Sequence, residues 1–139
     1  RLERSRLREN LEVRRALELE AARLAALRHS EDDLAGIDHA MALREDAWSQ
    51  RDMGAFIEAD FAFHRSVVNA THNSLLIDLY DDIAQVVYES IAHTAYGQPA
   101  DDTGIDHSGL AEAIRTGDPD RALSEAACYL DELLTLAGD

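Results

Sequence analysis

The sequence predicts an all-α fold, an antiparallel helical bundle of about six to seven helices, and three observations carry that expectation. Hydrophobic residues make up 46% of the 139 positions, with only two Pro and seven Gly to interrupt them. Such a chain favours helix and is long enough for one domain with its own core. Apolar residues recur at three- and four-residue intervals in one stretch after another. No stretch alternates polar and apolar residues as a half-buried strand would, and no internal repeat or low-complexity tract interrupts the pattern.

Taken in order, the first helix is expected over roughly 8–28, with Leu11, Leu17, Ala21, Leu24 and Ala25 as its apolar stripe. Ser30 is a good N-cap for a second helix running to about 49, with Asp33 at the reciprocal capping position. There Leu34, Ile37, Met41 and Trp48 share one face. A third helix is expected from about Asp52 to Thr71 and a fourth from about Ser74 to Ala95. The run YGQPADDTG, 96–104, reads as a loop. A short helix follows and ends at Thr116–Gly117. Asp118 then caps a last helix with Pro119 at its first position, which suits a helix start. Its inward residues are Leu123, Ala126, Leu130, Leu133 and Leu134.

The formal net charge of −15 argues against a phosphate-binding surface, because nucleic-acid affinity rests on Lys and Arg. The charge is uneven. Residues 1–28 hold eight of the thirteen Arg against five acids, a net of +3, and the remainder five Arg against 23 acids, a net of −18. A basic leader before an acidic body reads as the end of an interdomain linker over 1–8, with a helical domain over 9–139; ordinary helix-surface arginine is the alternative. The single cysteine, Cys128, excludes an intrachain disulfide and a thiolate metal cluster. No apolar run approaches the ~18 residues that span a bilayer, and no signal peptide is visible, so a cytoplasmic protein without membrane contact is expected.

The third helix carries the chemistry. Phe56, Ile57, Phe61, Phe63, Val67 and Val68 build its apolar arc, while Glu58, Arg65, Ser66 and Asn69 lie opposite. Asp60 and His64 fall inside the apolar arc, one turn apart. Burying both is costly unless each finds a strong partner. Two readings fit: a buried Asp–His hydrogen bond, or a metal bound by both side chains. His107, near the start of the fifth helix on the face of Leu110, Ala111 and Ile114, adds a second inward histidine from another helix. Metal sites in bundles are assembled from facing helices in this way.

These residues carry a resemblance. Asp60-x-x-Phe63-His64, then Asn73 and Leu75–Leu76, then His107-x-x-Leu110-x-x-Ala113-Ile114-x-x-Gly117-Asp118 resemble the FadR-type C-terminal effector-binding (FCD) domain of GntR-family regulators. The opening Arg14-x-x-Leu17-Glu18, with Ala21-Ala22 and Leu24-Ala25-Ala26, is similar to that domain's first helix. The resemblance covers nearly the whole chain in the right order. It implies an antiparallel bundle that follows a winged-helix DNA-binding domain, here absent from the chain. It also implies a divalent metal (zinc, nickel or manganese) in the bundle core, with a small organic acid bound at or near it. Asp60, His64 and His107 match three metal ligands. The fourth ligand of metal-binding members would be a His at the position held here by Tyr129. A phenol with a pKa of about 10 is a poor zinc ligand at neutral pH unless the metal lowers it. Three arrangements stay open: a three-ligand site completed by water or effector, a Tyr129 contact to metal or effector, or no metal. Cys128 points ~100° away from Tyr129 on the same helix and does not stand in easily.

Arg14 and Glu18 form a further inward-leaning pair one turn apart, read either as an intrahelical salt bridge or as a guanidinium that clasps a carboxylate effector. Gln85, Tyr88 and His93 are placed to line the same cavity, His93 more simply as a flanking or surface residue. His29, His39 and His72 read as structural or solvent-facing. The resulting expectation is a non-enzymatic, homodimeric sensing domain of a bacterial transcription regulator. It would bind a small carboxylate with Asp60, His64, His107, Arg14, Tyr129, Gln85 and Tyr88, and would touch DNA only through the absent domain. The alternatives are a metal-free dimerisation or ligand module and a metal-dependent hydrolase.

Overall fold

The computed structural model describes residues 4–97 and 106–138. They form helices α1 (Arg4–Arg28), α2 (Glu31–Ser49), α3 (Met53–Asn69), α4 (Ser74–Asp82), α5 (Ala84–Gly97), α6 (Ser108–Arg115) and α7 (Pro119–Ala137), with no strand among the described residues. Residues 1–3 of the expected linker and 98–104 of the expected loop lie outside the described residues.

Local chemistry sets the helix ends. At α2 the Asp33 amide donates to Ser30 Oγ at 3.1 Å and the Ser30 amide to Asp33 Oδ2 at 2.8 Å, the reciprocal box expected from the sequence. Asp52, Asn73 and Asp118 cap α3, α4 and α7 with their side chains. The α6–α7 turn combines a stop and a start. Gly117 takes φ +71°, and the amides of Gly117 and Asp118 donate to the carbonyls of Ile114 and Ala113. This is the glycine-terminated helix end that a Cβ would strain. Asp118 then accepts the Arg121 amide at 3.0 Å, with Pro119 at the first helical position.

Two elements differ from the expectations. The first helix begins at Arg4 rather than near residue 8, and Leu7 is buried in the core. The helix expected over 74–95 is two, separated at Ile83, whose amide is shared between the Leu79 and Tyr80 carbonyls. The acids Asp81 and Asp82 sit at the C-terminal end of α4, where the helix dipole disfavours negative charge.

Long antiparallel pairs build the bundle. The Arg8 guanidinium reaches the Gly138 carbonyl and Arg15 reaches Asp131, so α1 runs against α7 in the opposite direction. The His72–Asp33 and Arg44–Asp60 pairs fix α2 against α3 likewise. The core between them contains Leu11, Ile37, Phe63, Val87, Ile114 and Leu130, all fully buried. Each such side chain contributes on the order of 1.5–3 kcal/mol by leaving water. Into this core the bundle also draws Asn10, Arg14, Glu18, Arg44, Asp60, His64, Ser90 and His107.

Candidate functional site

Apart from Asn10, whose amide donates to the Val86 carbonyl at 2.7 Å, those buried polar residues form one connected network with His64 at its middle. On one side, Asp60 accepts from Arg44 Nε at 2.6 Å, lies 3.4 Å through Oδ2 from His64 Nε2, and lies 3.3 Å through Oδ1 from His107 Nε2. On the other side, His64 Nδ1 lies 3.2 Å from Glu18 Oε1. Glu18 also accepts from Arg14 Nε at 2.7 Å, from the Tyr80 hydroxyl at 3.0 Å and from the Tyr129 hydroxyl at 2.7 Å. Arg14 NH1 donates onward to Ser90 Oγ at 3.1 Å.

The charges settle accordingly. Burial opposes ionisation of Asp60, but His64, His107 and Arg44 outweigh it and hold the carboxyl well below the usual carboxylate range. Burial opposes ionisation of Glu18 as well, and Arg14 and His64 hold it low in the same way. Burial would lower His64, yet Asp60 and Glu18 raise it above an ordinary imidazole. For His107 burial wins, with Arg44 adding to it and Asp60 opposing, and its pKa falls to about 4. Burial and the Glu18 charge push Tyr80 and Tyr129 well above an ordinary phenol.

A partly open cleft with a cavity volume of about 40 Å³ leads to this network. Asp60, His64, His107, Arg14 and Arg44 meet there with the apolar Trp48, Phe56, Ile91 and Leu133. Tyr129 lines a separate, smaller space with Glu18, His64 and Leu110. Gln85 lies on the exposed side of α5, and the Tyr88 hydroxyl donates to Glu58 at 2.5 Å. Neither lines the cleft. Val87 and Ile91 turn inward on that helix, which places Gln85 roughly 200° from Val87. His93 and His39 are exposed, and His72 pairs with Asp33 at the surface.

Asp60, His64 and His107 each offer a donor atom, all within 4.8 Å of one another. A tetrahedral ion with bonds of about 2.1 Å separates its ligands by roughly 3.4 Å. Each imidazole Nε2 stands at about that spacing from a different Asp60 oxygen, His107 at 3.3 Å from Oδ1 and His64 at 3.4 Å from Oδ2. Glu18, 3.2 Å from His64 Nδ1, is placed as the carboxylate that would orient that imidazole were its Nε2 to ligate a metal. His107 Nδ1 is buried with no hydrogen-bond partner among the described residues, a polar atom that wants an explanation. The three residues therefore fit a divalent ion. The Tyr129 hydroxyl donates to Glu18 at 2.7 Å and lies 3.2 Å from His64 Nδ1, at the other ring nitrogen from the one facing Asp60.

Sequence reasoning missed Arg44 and Tyr80. Arg44 carried a readable signal, since it falls three residues after Met41 and four before Trp48 on the stripe of α2. Tyr80 stands four residues after Leu76 on the inward face of α4. Nothing in its spacing announces a hydroxyl aimed at Glu18, a residue of α1.

A family profile described as FCD domain matches residues 9–132. The chain is 36% identical over 113 residues to the galactonate operon transcriptional repressor of Escherichia coli (strain K12), covering 80% of this chain and 48% of that protein. It is 32% identical over 117 residues to the probable D-xylose utilization operon transcriptional repressor of Paenarthrobacter nicotinovorans, covering 82% and 50%. It is also 34% identical over 84 residues to the HTH-type transcriptional regulator LutR of Bacillus subtilis (strain 168), covering 60% and 37%. The chain thus spans about half the length, or less, of these relatives. Its match across most of its length shows that the chain belongs to the FCD-domain family of GntR-type transcriptional regulators.

Proposed function

We propose that this chain is the effector-sensing domain of a transcription regulator and that it binds a small carboxylate in the cleft beside Asp60, with a divalent metal held by Asp60, His64 and His107. The observation that carries the reading is the meeting of guanidinium, imidazole and carboxylate groups on the wall of one otherwise apolar cleft. Apolar walls with a few convergent polar groups are the usual lining of a small-molecule site. Arg44 and Arg14 offer the planar donors that suit a carboxylate. A bound metal would supply a Lewis-acidic contact for a ligand oxygen. One relative is named for a galactonate operon, and galactonate is a hydroxy acid, which agrees with a carboxylate ligand.

In this reading the ligand favours one arrangement of the bundle and so biases a DNA-binding domain outside this chain, by a shift of populations. The regulator would work as a homodimer, the commonest oligomer. No helix among the described residues is long and apolar enough to cross a membrane. A hydrolase would need a second acid facing the cleft, and Asp60 is the only carboxylate among the described residues that line it. Glu18, next nearest, is held by Arg14, Tyr80 and Tyr129.

The test is a thermal-shift series on this chain with aldonates, uronates and short hydroxy acids, each with and without zinc. Stabilisation by at least one acid, larger with zinc and absent in Asp60→Ala, is expected. No shift from any acid under either condition would overturn the reading.

A further inference from the structure

Helix α5 brings a hydroxyl to the cleft that its own backbone does not use. The hydroxyls of Ser66, Ser90 and Thr135 each donate to a carbonyl about one turn back, the usual way a short side chain on a helix is satisfied. Thr94, one turn after Ser90 and half-buried, makes no hydrogen bond among the described residues. It is the only hydroxyl among the described residues that line the cleft, and the only polar side chain that α5 and α7 give to it. The rest of their wall is Ile91, Ala95 and Leu133, all buried and apolar. The cleft is also small. Its cavity of about 40 Å³ has room for roughly three water-sized groups, at about 10–15 Å³ each. A ligand that reaches Asp60 therefore lies against the α5 wall as well.

We propose that Thr94 is a specificity-determining residue of this cleft: its hydroxyl pairs with a hydroxyl of the bound acid and selects a short hydroxy acid over the unsubstituted acid of the same length. The proposal rests on the carboxylate-binding reading above. Seating a hydroxyl against Ile91, Ala95 and Leu133 takes it out of water, which costs free energy unless it finds a partner. A guanidinium only donates and an ionised carboxylate only accepts, whereas a threonine hydroxyl does both. Thr94 thus meets a ligand hydroxyl whichever way that group points its proton. The unsubstituted acid makes no such bond and leaves the Thr94 hydroxyl unpaired on an apolar wall, so the site discriminates against it.

The probes are glycolate and acetate, which differ by one hydroxyl, titrated into this chain in the presence of zinc. Binding is read from the fluorescence of Trp48, the single tryptophan, which lines the cleft. The parent is expected to bind glycolate about fivefold or more tighter than acetate, the worth of one net hydrogen bond. Thr94→Val keeps the β-branched shape without the hydroxyl, and is expected to cut that preference by about fivefold while acetate binds as before. Thr94→Ser keeps the hydroxyl and is expected to keep the preference. Thr94→Ala replaces the valine variant should circular dichroism show that the latter has not folded. An undiminished preference for glycolate in the variant lacking the hydroxyl would overturn the proposal, since the metal or an arginine would then be reading the ligand. Equal binding of both acids by the parent would overturn it too. Neither result touches the carboxylate reading, because an acid still binds. If the parent binds neither probe, the proposal falls, and the carboxylate reading falls with it where no longer acid shifts the melting temperature.

Discussion

Replacing Glu18 by Ala should be among the most destabilising single changes in this chain. The carboxylate is 4% exposed, and its partner Arg14 is 1% exposed. Its removal leaves a guanidinium buried without its counter-ion, which costs about 3–5 kcal/mol. It also strips acceptors from the Tyr80 and Tyr129 hydroxyls. An unsatisfied buried polar group costs about 1–3 kcal/mol, although losses within one network do not add. A domain of this size holds on the order of 5–15 kcal/mol in total. Loss of roughly a third or more is therefore expected, read as a fall in urea midpoint with unchanged slope. The double variant Arg14→Met/Glu18→Leu supplies the control. It removes both charges and should cost less than Glu18→Ala alone, because no uncompensated charge remains. A loss below about 1 kcal/mol for Glu18→Ala, or a double variant that costs the sum of the singles, would refute the reasoning from the buried ion pair.

Phe63→Ala should cost about 3–5 kcal/mol in the same denaturation assay, because the ring is fully buried and stacks on His107 at 5.1 Å. Tyr129→Phe should cost about 1 kcal/mol of stability through the lost hydrogen bond to Glu18, with little change in zinc affinity. Tyr129→His should tighten zinc binding by about tenfold or more if the new imidazole reaches the ion, measured by chelator competition. Asp33 closes the α2 cap; burial, the largest single influence, raises its pKa, but the hydrogen bonds from Ser30 and the His72 contact together outweigh it and hold the carboxyl below the usual range. A depressed carboxylate gives stability that is present above its unfolded pKa, near 3.9, and lost as pH falls through the lower folded value. Asp33→Ala should therefore lower the melting temperature at pH 7 by an amount equivalent to ~1 kcal/mol or less, and the gap from the parent should close below about pH 4.

Much of the fold was legible because the signals were local. The caps at Ser30 and Asp118, the proline at the start of α7 and the inward stripes depend on residues a few positions apart. Asp60 and His64 were legible for the same reason: two polar groups inside an apolar arc on one helix have to meet partners. What escaped was relational. The break at Ile83 is a single shared amide in a stretch with unbroken periodicity. Gln85 and Tyr88 were placed by residue type, and only the inward register of Val87 and Ile91 shows that they lie off the cleft. Arg44 stood in plain view on the stripe of α2, but that an arginine there would find Asp60 depends on the α2–α3 packing. The link from Glu18 through Tyr80 and Tyr129 joins α1, α4 and α7, separated by 62 and 111 positions, and no spacing rule reaches that far.

Metal stoichiometry tests the central claim most directly. The chain, prepared without a polyhistidine tag, is saturated with zinc, dialysed against metal-free buffer and assayed by mass spectrometry beside Asp60→Ala. The expected result is a single equivalent of zinc retained by the parent and none by the variant. Equal zinc in both proteins, or none in the parent, would contradict a metal centre at Asp60, His64 and His107.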